Sequence, residues 1–283
     1  MTVEGILANF MQQQGPLVFK CAQSRAHLAN QIRDRVKSPW TIRQRAASLC
    51  GPVVFMQCLA QKHPAAYAQF VVDMASKGEA SLGRLKVKPS KACRDWLANP
   101  NDWGPPASAD WIALASLRDS SNTFFAYDEA SDQFAGITLP SRLRNWFRQT
   151  GLYSEVEEST NLLFDKSMKN FFEAVSAKKA GKQVCLFIGA RLLQPAGNPK
   201  KGKFPADHWV IMPSETKILL GGKPIGTVVT NLQDPENRKA LKAMTLTFDV
   251  QTWGDPAMAV DQGRKGLTLE DFLDFYYGYI SIR

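Results

Sequence analysis

The sequence has few of the residues that build disulfide frameworks and metal sites. Its 283 residues include five cysteines and three histidines; the cysteines are odd in number, irregularly spaced and never arranged as CxxC. This pattern argues against a disulfide scaffold, favours synthesis in a reducing compartment and shows no metal-ligand spacing. We therefore expect neither a metal ion nor another cofactor.

Long apolar runs and several common catalytic signatures are missing as well. The apolar run CLFIGARLL is interrupted by Arg191, and the opening MTVEGILANF lacks the basic start of a secretory signal. We therefore expect synthesis in the cytoplasm and no membrane span, with export by a route independent of a signal peptide left open. The absence of GxSxG, HExxH, GxGxxG and GxxxxGK[ST] argues against elbow-type serine hydrolases, zincins and the usual nucleotide-binding loops.

The composition is that of an ordinary globular protein with an excess of positive charge. The chain is 45% hydrophobic and 22% charged, and its net charge is +9. The basic stretches 84–91 (RLKVKPSK) and 198–203 (NPKKGK) could contact phosphates or acidic proteins. No nucleic-acid motif or aromatic–basic stacking pattern accompanies them, so nucleic acid is not the expected partner. A non-enzymatic basic protein that binds an acidic protein or nucleic acid remains the alternative function.

The predicted elements change from helices in the first half to strands in the second. Helical patterns cover 18–36, 51–61, 64–76, 110–118, 141–150 and 166–179. Strand patterns cover 183–190, 208–212, 217–220, 225–230 and 244–253, with Gly221-Gly222 as a hairpin turn, and a last helix is predicted over 269–276. Helices followed by strands predict an α+β fold.

Cys50 is the first candidate for chemistry. A small turn-like sequence leads through SLCG into an apolar helix, so this cysteine stands at a helix N-terminus. The helix dipole and the unpaired N–H groups at such an end favour the thiolate, which is the attacking species. Cys58 lies eight residues further along the same predicted helix among apolar neighbours and is interpreted as a core residue.

Two further side chains fit a role beside a nucleophilic cysteine. Gln44 precedes Cys50 by six residues and could donate its amide to a developing oxyanion, together with the Cys50 N–H. His208 directly precedes an apolar strand, which would hold an imidazole rigidly at the edge of a cleft. His27 and His63 lie in a polar helical stretch and at a helix end, so His208 is the preferred base.

The segment FDVQTWGDP, at 248–256, supplies candidates for a third catalytic group. Strand alternation places Asp249, Gln251 and Trp253 on one face. A polar side chain there could hold the imidazole in the required tautomer, and Trp253 could shield that hydrogen bond from water.

Taken in chain order, these residues resemble the papain-like cysteine peptidase superfamily. That family has a glutamine six positions before the nucleophile, Cys-Gly at a helix start, a histidine on a strand and then Asn-Ser-Trp-Gly. The corresponding residues here are Gln44, Cys50-Gly51, His208-Trp209 and Gln251-Thr252-Trp253-Gly254. The separation of His208 from Gln251 is longer than in the plant enzymes, and 217–230 has the pattern of an inserted hairpin.

The resemblance implies a fold and a set of roles. The fold would be papain-like, an N-terminal helical part whose buried catalytic helix packs against a C-terminal antiparallel β-sheet. A helical extension would occupy 1–35 and the cysteine hydrolase domain 36–283. Catalytic roles are carried over to Cys50 (nucleophile), His208 (base), Gln251 (orienting residue) and Gln44 (oxyanion donor), with Asp249 as the alternative orienting residue and Gly51, Trp209 and Trp253 as cleft-lining residues.

The resemblance also implies a class of reaction and of partners. Without a signal peptide, proregion or paired cysteines, the chain is more similar to bacterial papain-fold effectors and toxins, which include proteases, deamidases and transglutaminases. The expected reaction is thiolate attack on an amide through a thioester. A protease acting on a protein or peptide is the first expectation, with a glutamine deamidase or transglutaminase as the alternative. An immunity or chaperone protein would be a further partner.

Overall fold

The computed structural model describes residues 1–44, 49–97, 106–124, 137–162, 166–194, 206–228 and 231–283, with only the backbone at 122–124. Contacts divide the chain into two compact units, Met1–Ser154 and Glu155–Arg283. Helices dominate the first unit and an antiparallel sheet dominates the second. The predicted α+β class is therefore confirmed. Within the described residues, no helix combines the length and the apolar character needed to cross a bilayer.

The first unit is built from helices and one short hairpin. Its elements are α1 (Val3–Gln12), α2 (Arg25–Lys37), α3 (Cys50–Lys62), α4 (Pro64–Lys77), β1 (Ala80–Leu82), β2 (Leu85–Val87), α5 (Lys91–Asp95), α6 (Ser108–Phe124) and α7 (Pro140–Thr150). Helix α3 is buried from Cys50 to Ala60 and packs against α4, α6 and α7. Because neighbours surround it, its apolar residues occupy every face, as the sequence predicts.

The ends of these helices follow from local chemistry. Pro64 and Pro140 occupy first helical positions, where a missing N–H leaves no hydrogen bond unmade. Gly78 and Gly151 end the same helices in the left-handed conformation, with φ of 75° and 66°. Helix α2 begins only at Arg25, later than predicted, because the side chain of Ser24 caps it by accepting a hydrogen bond from the His27 N–H.

Residues 1–35 share a core with the helices that follow them. Helix α1 packs against α4, and α2 packs against α1, α4 and α6. Ile6, Leu7 and Phe10 of α1 are buried, together with Leu28 and Ile32 of α2. A separate hydrolase domain beginning at residue 36 stays a prediction.

The second unit contains the larger sheet. Its elements are β3 (Val156–Thr160), α8 (Met168–Lys179), β4 (Gln183–Ile188), β5 (His208–Ile211), β6 (Leu219–Leu220), β7 (Lys223–Pro224), α9 (Ile225–Val228), α10 (Pro235–Lys242), β8 (Leu246–Thr247), β9 (Asp249–Thr252), β10 (Asp255–Ala259), α11 (Leu269–Leu273) and β11 (Tyr276–Ile282). The larger sheet is antiparallel with the order β10-β9-β5-β4-β11-β3, and β6 pairs with β7 and β8 in a smaller one. One face of the larger sheet packs on Phe171 of α8 and Phe272 of α11.

Two sequence predictions in this unit are wrong. The helix predicted over 269–276 ends at Leu273, and the next residues enter β11, an inner strand that the sequence pattern does not indicate. All seven residues of β11 are buried, and Gly278 and Ser281 interrupt the apolar run that would otherwise indicate a buried strand. The strand predicted over 225–230 begins instead as α9, whereas Gly221-Gly222 does form the predicted turn, with φ of 60° and 75°.

Candidate active site

Cys50 is the first residue of the buried helix α3 in the first unit. Its exposed fraction is 6%. The N-cap position is held by Leu49, whose side chain has no polar atom to accept from the first N–H groups of the helix. The positive end of the helix dipole lies at this point and favours a negative charge such as a thiolate.

Gly51 allows Thr138 to approach the backbone closely beside Cys50. A Cβ atom at Gly51 would lie 2.3 Å from the Cβ atom of Thr138, far inside van der Waals contact. Thr138 is itself buried, just before α7. Packing on Thr138 therefore requires a glycine after Cys50. The predicted cleft-lining role of Gly51 stays a prediction.

An arginine that the sequence does not assign to the site lies near Cys50. Arg118 of α6 is half-buried and donates from Nη1 to the Ile137 carbonyl at 3.2 Å. Burial lowers the pKa of its guanidinium, and the negative charge of a Cys50 thiolate opposes that effect. A cation within electrostatic reach adds to the preference for the thiolate that the helix end already provides.

Gln44 is oriented by a backbone hydrogen bond. Its Oε1 accepts from the Leu49 N–H at 3.1 Å, directly before the candidate nucleophile. The carbonyl end of the amide is therefore used to anchor the side chain, and the Nε2 end carries the N–H groups that an oxyanion would need.

His208 begins β5 in the second unit and is buried, with 5% of its surface exposed. Its Nε2 lies 2.7 Å from Oγ1 of Thr252. The pairing of Ile211 with Gln251 explains this contact, because alternation then places Thr252 on the same sheet face as His208.

The same register moves the predicted orienting residues away from the imidazole. Gln251 and Asp249 follow the opposite alternation to Thr252, so they belong to the other face of the sheet. The contact expected of Gln251 or Asp249 is made by Thr252. Trp209 also differs from its expected cleft-lining role: it is fully buried and stacks on Phe187, with ring centroids 4.6 Å apart.

Trp253 covers the imidazole in a strained conformation. Its ring stacks on that of His208 with centroids 4.8 Å apart and planes at 30°, while 39% of the tryptophan stays exposed. Among the described residues it is the one non-glycine with a positive φ, 47°, and Gly254 follows with φ of 83°. These two residues turn the chain from β9 into β10, where asparagine and glycine are usual. The conformation costs the tryptophan about 1 kcal/mol.

Burial sets the protonation state of this histidine. It lowers the pKa of His208 to about 4, so the imidazole is neutral at neutral pH. Two tautomers are compatible with the Thr252 contact, because the hydroxyl can accept from Nε2–H or donate to an unprotonated Nε2. The first tautomer leaves the lone pair on Nδ1, where the imidazole could act as a base.

No protein-family model, curated protein or solved structure matches this chain. The resemblance to papain-like enzymes stays a prediction from the short motifs around Gln44, Cys50, His208 and Trp253. The chemistry of the candidate site follows from the side chains described above.

Replacing Trp253 by asparagine is expected to raise the pKa of His208 by about 1 pH unit or more, because water would reach the imidazole. The free energy of unfolding should stay unchanged or increase, since asparagine tolerates the left-handed conformation. A pH titration of the His208 ring by NMR measures the first effect and urea denaturation the second. His63, in the first unit, is the internal control, and an unchanged pKa at His208 would contradict the shielding role.

Proposed function

We propose that this protein is a papain-like cysteine hydrolase that attacks an amide carbonyl with Cys50, using His208 as the base. The observation that carries the proposal is the position of Cys50, at the positive end of a buried helix and within electrostatic reach of Arg118. His208 adds a neutral imidazole held at Nε2 by Thr252. The papain-like arrangement of the helical part and the sheet belongs to this proposal.

The reaction begins with proton transfer. Nδ1 of His208 accepts the thiol proton of Cys50, and the sulfur forms a bond to the carbonyl carbon. The oxyanion accepts hydrogen bonds from the Cys50 N–H and the Gln44 amide. The imidazolium then protonates the leaving nitrogen as the C–N bond breaks, and water hydrolyses the remaining thioester. This sequence requires Nδ1 to face the Cys50 sulfur when the substrate is bound.

Thr252 takes the orienting role that the motif comparison assigns to Gln251. Its hydroxyl lies 2.7 Å from Nε2 and orients the ring, and the mechanism uses the tautomer in which Nε2–H donates to Thr252 and the lone pair is on Nδ1. A neutral hydroxyl stabilises an imidazolium less than a carboxylate would. In this mechanism the imidazole is neutral in the resting state, and the thiolate–imidazolium pair forms during the reaction.

The amide that is attacked defines three variants of one mechanism. A backbone amide makes the protein a protease, which we favour, and a glutamine side chain makes it a deamidase. Resolution of the thioester by an amine instead of water makes it a transglutaminase. All three use Cys50, His208 and Gln44 in the same roles.

Iodoacetamide labelling at pH 7 tests the nucleophile without knowledge of the substrate. Cys50 is expected to react about tenfold faster than the other thiols, because its position at the helix N-terminus near Arg118 favours the thiolate. Burial raises the pKa of Cys21 to about 11 and that of Cys93 to about 12, so both thiols stay protonated. Cys58 and Cys185 are fully buried. Peptide mapping by mass spectrometry measures each rate.

Matched variants make this labelling test specific. Cys50→Ala should lose the fast reaction, whereas Cys58→Ala, a change on the same helix, should retain it. Arg118→Gln should raise the pH at which labelling of Cys50 becomes fast. A fast reaction that survives Cys50→Ala would overturn the proposal.

A further inference from the structure

Helix α10 of the second unit carries a row of positive side chains along one side. They follow the first residue of the helix at the spacing i+3, i+4 and i+7, which places them in one stripe: Arg238, Lys239 and Lys242. Leu241 is buried and attaches the helix to the core of the unit, whereas Arg238 and Lys239 are exposed. Neither basic stretch noted in the sequence includes these cations: 84–91 belongs to the first unit, and 198–203 lies outside the described residues.

The stripe on α10 forms one wall of an open groove with a volume of about 710 Å³. The start of α8 forms the second wall and contributes two further cations, Lys166 and Lys169. Helix α11 and the residue that follows it form the third wall and contribute the carboxylates of Glu270 and Asp274. We call this surface the α10 groove. Among its described lining residues, positive side chains therefore outnumber negative ones.

Local hydrogen bonds hold the three helices that line the α10 groove. Ser167 and Asp234 cap α8 and α10 with their side chains, and Thr268 forms a capping box with Asp271 at the start of α11. Because capped helix ends fray less, the backbone that carries the cations is ordered before a partner binds. Less ordering of this surface is then required on binding, which favours affinity.

Ion pairs in and beside the α10 groove neutralise only part of its positive charge. Nζ of Lys242 lies 3.3 Å from Oε1 of Glu270, and Nζ of Lys169 lies 4.0 Å from Oε1 of Glu173. The side chains of the remaining cations make no ion pair with a described residue: Lys166, Arg238 and Lys239. Asp274 is the one other carboxylate of the described lining, so the groove keeps a positive excess.

We propose that the α10 groove binds an acidic segment of a partner protein. Carboxylates of the partner would contact Arg238, Lys239 and Lys166, and neutral residues of the same segment would face Glu270. Opposite charges on the two surfaces speed their encounter and fix the register in which they bind. This inference is independent of the thiol chemistry of Cys50.

The mixed charge and the open shape of the α10 groove favour a protein segment over other anions. A nucleic acid carries a phosphate at every nucleotide, so it would bring negative charge against Glu270 and Asp274 as well as against the cations. A small anion would gain little, because Arg238 and Lys239 are exposed and solvent screens their charge. An acidic protein segment can separate its carboxylates by neutral residues and can contact several cations at once.

An NMR titration of the full chain at low salt tests the proposal. The probe is a short peptide in which glutamate alternates with serine. It should bind saturably and shift the amide signals of α10 and of 166–169, whereas the same peptide with glutamine in place of glutamate should show no saturable binding. Oligothymidylate of equal charge should bind at least about threefold more weakly than the glutamate peptide, because its phosphates oppose the carboxylates of the groove.

Charge-reversal variants provide the matched controls. Arg238→Glu with Lys239→Glu should weaken binding of the glutamate peptide at least about tenfold. Lys223→Glu with Lys265→Glu changes the net charge equally at exposed positions of the same unit, outside the groove, and should leave the affinity within about twofold. Wild-type amide signals away from the substituted residues show that both double variants are folded.

Glu270→Gln should tighten binding of the glutamate peptide about twofold or more, because the charge of Lys242 then becomes available to the peptide. Cys50→Ala should bind as the wild type does, which separates this test from that of the proposed function. Equal binding by the wild type and the Arg238 and Lys239 double variant would overturn the proposal. Oligothymidylate that binds as tightly as the glutamate peptide, or a glutamate peptide that does not bind saturably, would overturn it too.

Discussion

Replacing Arg35 by methionine is expected to lower the free energy of unfolding of the first unit by about 3–5 kcal/mol. The guanidinium of Arg35, on α2, donates from Nε and Nη2 to the two carboxylate oxygens of Asp110, on α6, at 3.0 and 2.8 Å. The side chains are 14% and 2% exposed. Removing the arginine would leave a buried carboxylate without its cation.

Burial and pairing affect the pKa values of Asp110 and Arg35 differently. Burial raises the pKa of Asp110, and the hydrogen bonds from Arg35 only partly offset that effect. For Arg35, burial lowers the pKa, but the hydrogen bonds and charge of Asp110 more than offset it, so the pKa is raised. The Asp110 carboxylate is the more deeply buried group, so its desolvation offsets most of the attraction between the two charges. The pair as a whole then contributes little, and the large expected loss comes from leaving one charge alone.

A double replacement and a surface control separate these contributions. Arg35→Met combined with Asp110→Leu should recover most of the stability lost in the single variant, because both charges are then gone. Arg33→Met, two residues away on α2, breaks an exposed pair with Glu4 and should leave the urea midpoint unchanged. Urea denaturation measures the stability of the three variants, and hydrogen exchange in α2 and α6 localises any loss. A single variant as stable as the wild type would contradict the expected penalty.

The second unit is expected to lose about 3 kcal/mol of stability as the pH falls from 6.5 to 4, through His208 alone. Burial lowers the pKa of His208 to about 4 in the folded protein, whereas an unfolded chain protonates histidine near pH 6.5. Between these values the unfolded state binds the additional proton, so acidification favours unfolding. From about one pH unit above 6.5 the imidazole is neutral in both states and contributes no further pH dependence.

Urea denaturation at pH 7 and at pH 4 measures this loss of stability, and amide hydrogen exchange in β4 and β5 assigns it to the second unit. His208→Gln should remove the part of the acid response that His208 supplies, whatever its effect on stability at pH 7. His27→Asn, which changes an exposed histidine, should leave the acid response as in the wild type. An identical pH dependence in wild type and His208→Gln would show that the imidazole is not desolvated in the folded protein.

Asp110 also illustrates a limit of the sequence. The sequence around Asp110 and Trp111 matches no catalytic motif. Local patterning indicates helix-capping or surface positions for its polar side chains. The carboxylate is instead buried against Arg35, 75 residues earlier in the chain, and Trp111 stacks on Trp96 with centroids 3.8 Å apart. No local pattern encodes such partners, because they meet only when α2, α5 and α6 pack together.

Interactions between close neighbours in the chain are encoded in short stretches of sequence. Proline at the first position and glycine after the last predict the limits of α4 and α7, since both act through backbone geometry within one turn. The apolar composition of 183–190 and 208–212 predicts the strands found there. It does not predict the inner strand β11, whose apolar run is interrupted by Gly278 and Ser281.

The candidate site likewise contains residues that the sequence indicates and residues that it does not. The sequence indicates Cys50 at a helix start, Gln44 before it and His208 at a strand start, because each depends on neighbours close in the chain. It does not indicate Thr252 or Arg118. The first depends on the register between β5 and β9, where a shift of one residue exchanges Thr252 for Gln251, and the second on the packing of α6 beside α3.

Local sequence therefore determined the class of fold, the approximate ends of α3, α4, α7 and α8, and the residue types that could react. Tertiary structure decided which side chain holds the imidazole and which cation approaches the sulfur. The physical reason is the range of the interactions. Caps, turns and periodicity act over a few residues, whereas desolvation, strand register and electrostatic proximity arise only after distant segments have packed.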